Sequence, residues 1–154
     1  MEDVREALIQ SRLPASRLEL EITENVMLID VEGALATMNA LKELGVRLNM
    51  EDFGAGYSSL GYLRTYPFDG IKIDKRFISS MSGGGNDRAV VQAIINLGKA
   101  MGLTVTAEGV EPLEQLDFLV SDKCHEVQGF YLSRTMEKLA LLSLLKASHD
   151  EFPV

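Results

Sequence analysis

Acidic side chains recur at equivalent places along this chain, each near the end of a short β-type run. Glu21, Glu51 and Glu108 occupy such places, and Lys72 lies inside a further run. Carboxylate oxygens suit hard divalent cations, and two such cations about 4 Å apart can clamp a phosphodiester and activate a water molecule. The pattern therefore indicates metal-dependent phosphoryl chemistry. The alternative is a solvated charged face, because a carboxylate taken singly is more often a salt-bridge partner than a metal ligand.

β-type runs that alternate with helical patterns position these residues. Alternating apolar and polar residues predict strands at 18–23, 46–51, 70–74, 103–108 and 126–128. Helical periodicity predicts helices from Asp30 to Gly45, over 87–101, from about Pro112 and over 136–147, with a short helix capped by Ser58 or Ser59. Strands and helices in this order form right-handed βαβ units around a parallel sheet.

The first four predicted strands each have one apolar and one polar face. In the third, Ile71 and Ile73 oppose Lys72 and Asp74. Doubly wound parallel sheets are covered by helices on both faces, so their strands are almost continuously hydrophobic. We therefore expect helices on one face only, in an α/β fold of about five parallel strands that forms either a closed barrel with a polar interior or a partial TIM-type (β/α) barrel with an open concave face.

The acidic residues also share a position along their strands. Glu21, Glu51, Glu108 and Gln128 fall at or near the carboxyl ends of the predicted strands. Barrels and open α/β sheets bind their ligands at that end. Three carboxylates and a lysine that converge there would repel or pair unless a cation organises them.

Composition narrows the function classes. The chain has 154 residues, of which 46% are hydrophobic, which is typical of one globular domain. No run approaches the roughly 20 apolar residues of a membrane-spanning helix, and the charged first residues do not resemble a signal peptide. One cysteine and two histidines leave no disulfide framework and little for a Cys/His metal site. A net charge of −8 disfavours a nucleic acid polymer as partner.

Five short strings carry a resemblance to a known family. They are EITE at 21–24, EDFGAGYSSL at 51–60, IKID at 71–74, AEGVE at 107–111 and QGF at 128–130. Each string alone is weakly specific, but all five in this order are highly specific. From about residue 18 to residue 134, the chain closely resembles the EAL-domain family of cyclic di-GMP phosphodiesterases.

The resemblance implies a modified TIM barrel that uses Mg²⁺ or Mn²⁺ in a two-metal site to hydrolyse cyclic di-GMP to linear pGpG. It assigns Glu21 as a metal ligand, and Glu51 and Asp52 as the pair that holds and bridges the metals. Lys72 matches the lysine that orients the attacking water or neutralises the phosphate. Glu108 matches a glutamate that is ligand or general base.

Three further residues receive roles from the same resemblance. Glu111 and Gln128 match groups that lie around the metal ligands and beside the substrate. Glu24 matches a residue that steadies loop 52–59, a loop that the family links to metal binding and dimerisation. Since cyclic di-GMP is made in the cytoplasm and the chain has no targeting signal, the resemblance implies a cytoplasmic protein.

The chain departs from the family pattern near its start. The family's Glu-Ala-Leu motif lies on its first barrel strand, whereas Glu6-Ala7-Leu8 lies in a helical segment shortly before Glu21 and is interpreted as a chance match. The family's asparagine ligand is also missing. We therefore expect residues 1–154 to be a single truncated EAL domain, with a motif-bearing core at 18–134, a C-terminal helix at 136–147 and an incomplete metal site.

Two residues differ from the family pattern, and the predicted sheet has two open edges. Glu51 stands where the family has aspartate, and its extra methylene can weaken a tight octahedral Mg²⁺ site. Ala55 stands where the family has threonine. A partial barrel exposes two sheet edges, which predicts a homodimer or association with a missing N-terminal half rather than a stable monomer.

Three hypotheses follow. The first is a metal-dependent cyclic di-GMP phosphodiesterase, or the C-terminal part of one, whose isolated chain lacks ligands and is expected to be inactive. The second is a non-catalytic, degenerate EAL module that binds cyclic di-GMP or a protein partner in signalling. The third, another kind of TIM-barrel enzyme, is disfavoured by the combined strings.

Overall fold

The computed structural model describes residues 2–23, 26–27, 30–54, 60–81 and 86–151, with side chains to residue 146. Short strands alternate with helices throughout. The elements are α1 (Glu2–Ser11), a 3₁₀ turn (Ala15–Arg17), β1 (Glu19–Thr23), α2 (Val31–Glu43), β2 (Arg47–Phe53), α3 (Leu60–Thr65), β3 (Gly70–Ile73), α4 (Lys75–Ser80), α5 (Asn86–Met101), β4 (Thr104–Glu108), α6 (Leu113–Ser121), β5 (Glu126–Gln128) and α7 (Lys138–Glu151).

The five strands form one parallel sheet in the order β1-β2-β3-β4-β5. Spatial order therefore follows chain order, whereas a doubly wound sheet reverses direction at a switch point. This arrangement confirms the predicted α/β fold of about five parallel strands with intervening helices. Within the described residues, β1 and β5 each pair with one neighbour and form the two edges of the sheet.

One face of the sheet packs against the helices and forms the core. Leu48 and Met50 of β2, Ile71 of β3 and Val105 of β4 are completely buried on that face. The opposing helices contribute the side chains Met38, Leu41, Leu63, Ile78, Val91, Ile94, Ile95 and Leu119. The predicted separation of apolar and polar strand faces is thus confirmed, because the apolar set of each central strand lies under helices.

The helix boundaries follow local signals with small shifts. Asp30 caps α2 by accepting a hydrogen bond from the Gly33 N–H at 3.0 Å, and Gly45 follows the helix with a φ of +88°. Pro112 precedes α6 as its N-cap. The last helix begins at Lys138, and the leucines along it remain exposed, with Leu139 79% exposed. None of the helices in the described ranges is long and apolar enough to cross a membrane.

Gly98 brings α5 close to β4. A Cβ atom at this position would overlap Cγ2 of Val105. We expect Gly98→Ala to lower the free energy of unfolding by about 1–3 kcal/mol, because the helix must move off the sheet. Urea denaturation measures the loss. In the double variant with Val105→Ala the clashing methyl is absent, so its loss should be smaller than the sum of the two single losses; additive losses would contradict this account.

Candidate active site

Lys72 lies at the centre of the polar face of the sheet, bonded to two acids. Its side chain is 4% exposed. Its Nζ forms a salt bridge with Oε1 of Glu21 on β1 and another, at 2.5 Å, with Oε1 of Glu108 on β4. Burial lowers the pKa of Lys72, but the hydrogen bonds to Glu108 and Glu21 outweigh it, so the pKa lies above its ordinary value. Lys72 is therefore a charged ammonium that holds two carboxylates together.

The polar face is more buried than the sequence indicates. Asn49 is completely buried, and Lys72 and Thr106 are 3% and 6% exposed. The sequence predicts helices on the opposite face only, which leaves this face uncovered. The reason for the difference is that polar side chains of adjacent strands cover one another. Thr106 donates a hydrogen bond to Glu126 at 3.0 Å, on the same face as the Lys72 salt bridges.

A bulge in β2 brings Glu51 and Asp52 to the site. Met50 lies opposite Ile71 and Phe53 lies opposite Ile73, so β2 advances three residues where β3 advances two. Asp52 has a φ of +55° at this irregularity. Because of the extra residue, Phe53 returns to the core face. The strand thus continues beyond its predicted end, and the acidic pair occupies the bulge rather than a loop.

Negative charge is in excess around Glu51. Burial raises the pKa of Glu51, and the charges of Asp52, Glu21 and Glu108 raise it further, against a lowering contribution from Lys72. At Glu51, one ammonium therefore opposes the charges of three other carboxylates. A divalent cation would relieve this repulsion.

The residues present fit a hard cation in chemistry, although they do not form a ready-made cage. The donors are all carboxylates, which Mg²⁺ and Mn²⁺ prefer. In the described parts of the chain, no three Asp, Glu, His or Cys groups are gathered closely enough to hold a metal ion together. Lys72 accounts for this in part, because it lies between Glu21 and Glu108.

The remaining predicted site residues are dispersed. Gln128 is exposed on β5, opposite Glu108 in the strand register. Glu111 is exposed three residues beyond Glu108, and its backbone N–H donates to Gln115. Glu24 and Ala55, together with the predicted caps Ser58 and Ser59, lie outside the described residues.

Asn49 and Gly70 form a contact that sequence reasoning missed. The Asn49 amide donates a hydrogen bond from Nδ2 to Oε1 of Glu19 at 2.5 Å. Its Oδ1 is buried without a hydrogen-bond partner among the described residues. A Cβ atom at Gly70 would lie 2.7 Å from that Oδ1, so the glycine makes room for the asparagine. The only available signal was the placement of Asn49 on the polar strand face.

Asp74 is a second residue that sequence reasoning missed. It is 4% exposed and caps α4 by accepting a hydrogen bond from the Arg76 N–H at 2.7 Å. Its other oxygen accepts from Nε and Nη2 of Arg76 at 2.9 and 2.7 Å. These bonds to Arg76 hold the pKa of Asp74 below its ordinary value despite burial. An aspartate between a strand and a helix is the signal that could have identified the cap.

We expect Asp74→Ala to lower the free energy of unfolding by about 1–2 kcal/mol at pH 7, because the cap and the bonds to Arg76 are lost. Because the folded-state pKa is depressed, this stabilisation is present above the ordinary aspartate pKa and is lost as the pH falls through the folded value. Urea denaturation at neutral and acidic pH measures both effects. Asp74→Asn keeps a capping oxygen, so its free energy of unfolding should fall less than that of Asp74→Ala. A deficit that does not narrow in acid would contradict the assignment.

A hollow of about 570 Å³ opens beside the edge strand β1. Its wall is mostly apolar and includes Ile22, Met27, Met38 and Leu41, with Glu21 at its border. A phosphodiester needs a cation to neutralise its charge, and no lysine, arginine or histidine is among the described residues that line this wall. The charged cluster around Lys72 is therefore the candidate site, and the hollow borders it.

These features define a class: a parallel β/α protein with carboxylates and a buried lysine near the carboxyl ends of its strands. The chain matches the EAL domain over residues 1–135, and it belongs to the EAL domain family. It is 42% identical over 147 residues to the cyclic di-GMP phosphodiesterase NbdA of Pseudomonas aeruginosa, covering 96% of this chain and 19% of that protein. The chain thus spans about a fifth of the length of this relative.

Solved structures agree with the fold. The MucR phosphodiesterase (PaMucR) in complex with c-di-GMP is 40% identical, with a TM-score of 0.86, over 91% of this chain and 57% of that one. A manganese and c-di-GMP complex of Klebsiella pneumoniae BlrP1 is 32% identical, with a TM-score of 0.79, over 85% of this chain and 33% of that one. The likeness to these EAL proteins confirms the TIM-barrel-like arrangement of the sheet.

Proposed function

We propose that this chain forms part of a site that binds cyclic di-GMP with a divalent cation and hydrolyses one of its phosphodiester bonds, giving linear pGpG in the cytoplasm. The observation that carries the proposal is the buried Lys72 ammonium of β3 between Glu21 of β1 and Glu108 of β4, which provides a cation and two carboxylates on one face of the sheet. Membership of the EAL family supports this assignment.

The carboxylates Glu21, Glu51, Asp52 and Glu108 are proposed to hold Mg²⁺ or Mn²⁺. When bound, such a cation neutralises the phosphodiester and lowers the pKa of the attacking water. The manganese in the BlrP1 complex supports a divalent ion of this kind. In this proposal, the Lys72 ammonium would release at least one of its two acids to such a cation.

The released Lys72 then has a second role. Its ammonium, held charged, can donate hydrogen bonds to the phosphate oxygens and offset the charge that develops on them. Glu108 is proposed to accept a proton from the attacking water. Glu111 and Gln128 are proposed to lie beside the substrate, and Glu24 to steady the loop that follows Asp52.

A second candidate function is binding of cyclic di-GMP, or of a protein partner, without hydrolysis. The observation in its favour is that the described residues do not gather three metal-ligating groups. Glu51 also places its carboxylate one methylene further out than the family's aspartate. In such a module the Lys72 cluster would recognise phosphate and perform no catalysis.

A direct experiment separates these two functions. The purified chain is incubated with cyclic di-GMP and Mn²⁺, and pGpG is measured by chromatography, while calorimetry with and without Mn²⁺ measures binding. Formation of pGpG supports hydrolysis. Binding without pGpG supports the second function, and absence of both contradicts the proposal that this chain handles the nucleotide.

The edge strands β1 and β5 bear on the extent of the domain and on its assembly. We propose that residues 1–154 form one EAL unit whose edge strands β1 and β5 pair with further strands, from a second copy or from an N-terminal half. The unpaired edges of the described sheet support this. Light scattering that gives a compact monomer at tens of micromolar would contradict it.

A further inference from the structure

Gln115 on α6 is a buried amide with no part in the proposed mechanism. It is 5% exposed, and both ends of its amide are bonded to backbone. Oε1 accepts a hydrogen bond from the Glu111 N–H at 3.0 Å, and Nε2 donates one to the Ile78 carbonyl at 2.8 Å. One side chain therefore links the segment after β4 to helix α4.

These two segments adjoin the strands that carry the site. Glu111 lies three residues beyond Glu108, the acid at the end of β4. Ile78 lies on α4, which begins two residues after β3, the strand that carries Lys72. The Lys72–Glu108 salt bridge joins β3 and β4 on the polar face of the sheet, whereas Gln115 joins the segments that follow them.

Close packing leaves segment 109–111 little freedom. Gly109 has a φ of +73°, and a Cβ atom there would lie 2.7 Å from Cβ of Lys75 at the start of α4. Val110 is completely buried; its N–H donates to the Gln128 carbonyl at 3.1 Å, and its carbonyl accepts from the Tyr131 N–H at 2.9 Å. The segment is thus tied to β5 through its backbone and to α4 through Gln115.

Resting on the proposed function, we propose that Gln115 is a positioning residue: it sets segment 109–111, which follows Glu108, relative to helix α4, which follows the strand that bears Lys72. The Lys72–Glu108 salt bridge involves charged groups that would also hold a divalent cation. The amide bonds of Gln115 do not involve these groups, so binding of a cation would leave the amide bonds in place. Sites of this kind need their groups held to about 0.5 Å, which packing and supporting hydrogen bonds provide.

The test uses Gln115→Met, which keeps the length of the side chain and removes both hydrogen bonds. Leu119→Ala is the matched control, because Leu119 is completely buried on the same helix and has no part in the link. Gln115→Glu keeps an acceptor for the Glu111 N–H and opposes an oxygen to the Ile78 carbonyl. Urea denaturation ranks the three variants by stability.

Two readouts separate positioning from simple stability. The ¹⁵Nζ resonance of Lys72, without ligand, should shift in Gln115→Met and stay unchanged in Leu119→Ala. The affinity for cyclic di-GMP with Mn²⁺, measured by calorimetry, should fall by about tenfold or more in Gln115→Met, in the range found for groups that support metal ligands. The affinity of Gln115→Glu should lie between those of the unaltered chain and Gln115→Met. Leu119→Ala should retain the affinity of the unaltered chain even if the variant is less stable.

An unchanged Lys72 resonance in folded Gln115→Met would overturn the proposal. So would equal losses of affinity in Gln115→Met and Leu119→Ala at equal stability. If the unaltered chain does not bind cyclic di-GMP with Mn²⁺, the proposed function fails, and the Lys72 resonance alone decides the role of Gln115.

Discussion

We expect Glu108→Ala to lower the rate of cyclic di-GMP hydrolysis with Mn²⁺ by at least about a hundredfold, because a positioned general base contributes roughly 10²–10⁴ to such rates. Glu108 bonds to Lys72 at 2.5 Å and its side chain is 19% exposed, so a water beside it remains accessible. Formation of pGpG over time, measured by chromatography at saturating nucleotide, gives the rate.

A matched control lies on the same face of the sheet. Glu126 begins β5, two residues before the residue opposite Glu108, and its carboxylate accepts a hydrogen bond from Thr106 rather than from Lys72. Glu126→Gln should therefore leave the rate of hydrolysis nearly unchanged. Hydrolysis that survives Glu108→Ala would refute the role given to Glu108, and equal losses in both variants would point to a general effect of charge on the face.

We expect Lys72→Met to lower the free energy of unfolding by about 2 kcal/mol at neutral pH and to abolish binding of cyclic di-GMP. Removing one partner of a buried ion pair costs about 3–5 kcal/mol, but Glu21 is 42% exposed and water replaces part of the lost interaction. Urea denaturation and calorimetry measure the two effects.

The stabilisation that Lys72 contributes depends on pH. Because the folded-state pKa of Lys72 is raised, its stabilisation is fully present below the ordinary lysine pKa and is lost only as the pH rises through the raised value. Neutral pH therefore measures the whole contribution. In the variant, Glu21 and Glu108 lose their cationic partner.

Lys42→Met is the control for Lys72→Met. Lys42 pairs with Asp69 at 2.6 Å, ahead of the amino end of β3, and its side chain is 32% exposed. A half-exposed ion pair contributes less to stability than a buried one. Lys42→Met should therefore lower the free energy of unfolding by about 1 kcal/mol or less and leave nucleotide binding unchanged. A larger loss for Lys42→Met than for Lys72→Met would contradict the central place given to Lys72.

Local patterns were sufficient to predict which charged side chains converge on the polar face. Strict alternation along β3 put Lys72 opposite to Ile71 and Ile73, and parallel strands end at the same edge. Glu21 and Glu108 therefore had to face Lys72 from other strands. The family strings assigned these residues together, and the folded chain brings all three into contact.

Other parts of the site could not be read from local patterns. The bulge at Asp52 reverses the facing of Phe53, and period-two reading cannot detect an extra residue. The space for Asn49 depends on Gly70, a residue on another strand. The hydrogen bond from Gln115 to the Ile78 carbonyl joins residues that are 37 positions apart. The position of Gln115 in its helix gave no signal of that bond.

Residue types and their order along the chain are enough to specify a parallel α/β fold, one polar strand face and membership of the EAL family, because these depend on short-range periodicity and on strings of neighbouring residues. Strand register and packing decide the rest of the site. They determine which acids Lys72 bonds, how deeply the polar face is buried, and which side chain links α4 to segment 109–111. The bond from Lys72 to Glu21 spans 51 residues, and contacts of that range exist only in the folded chain.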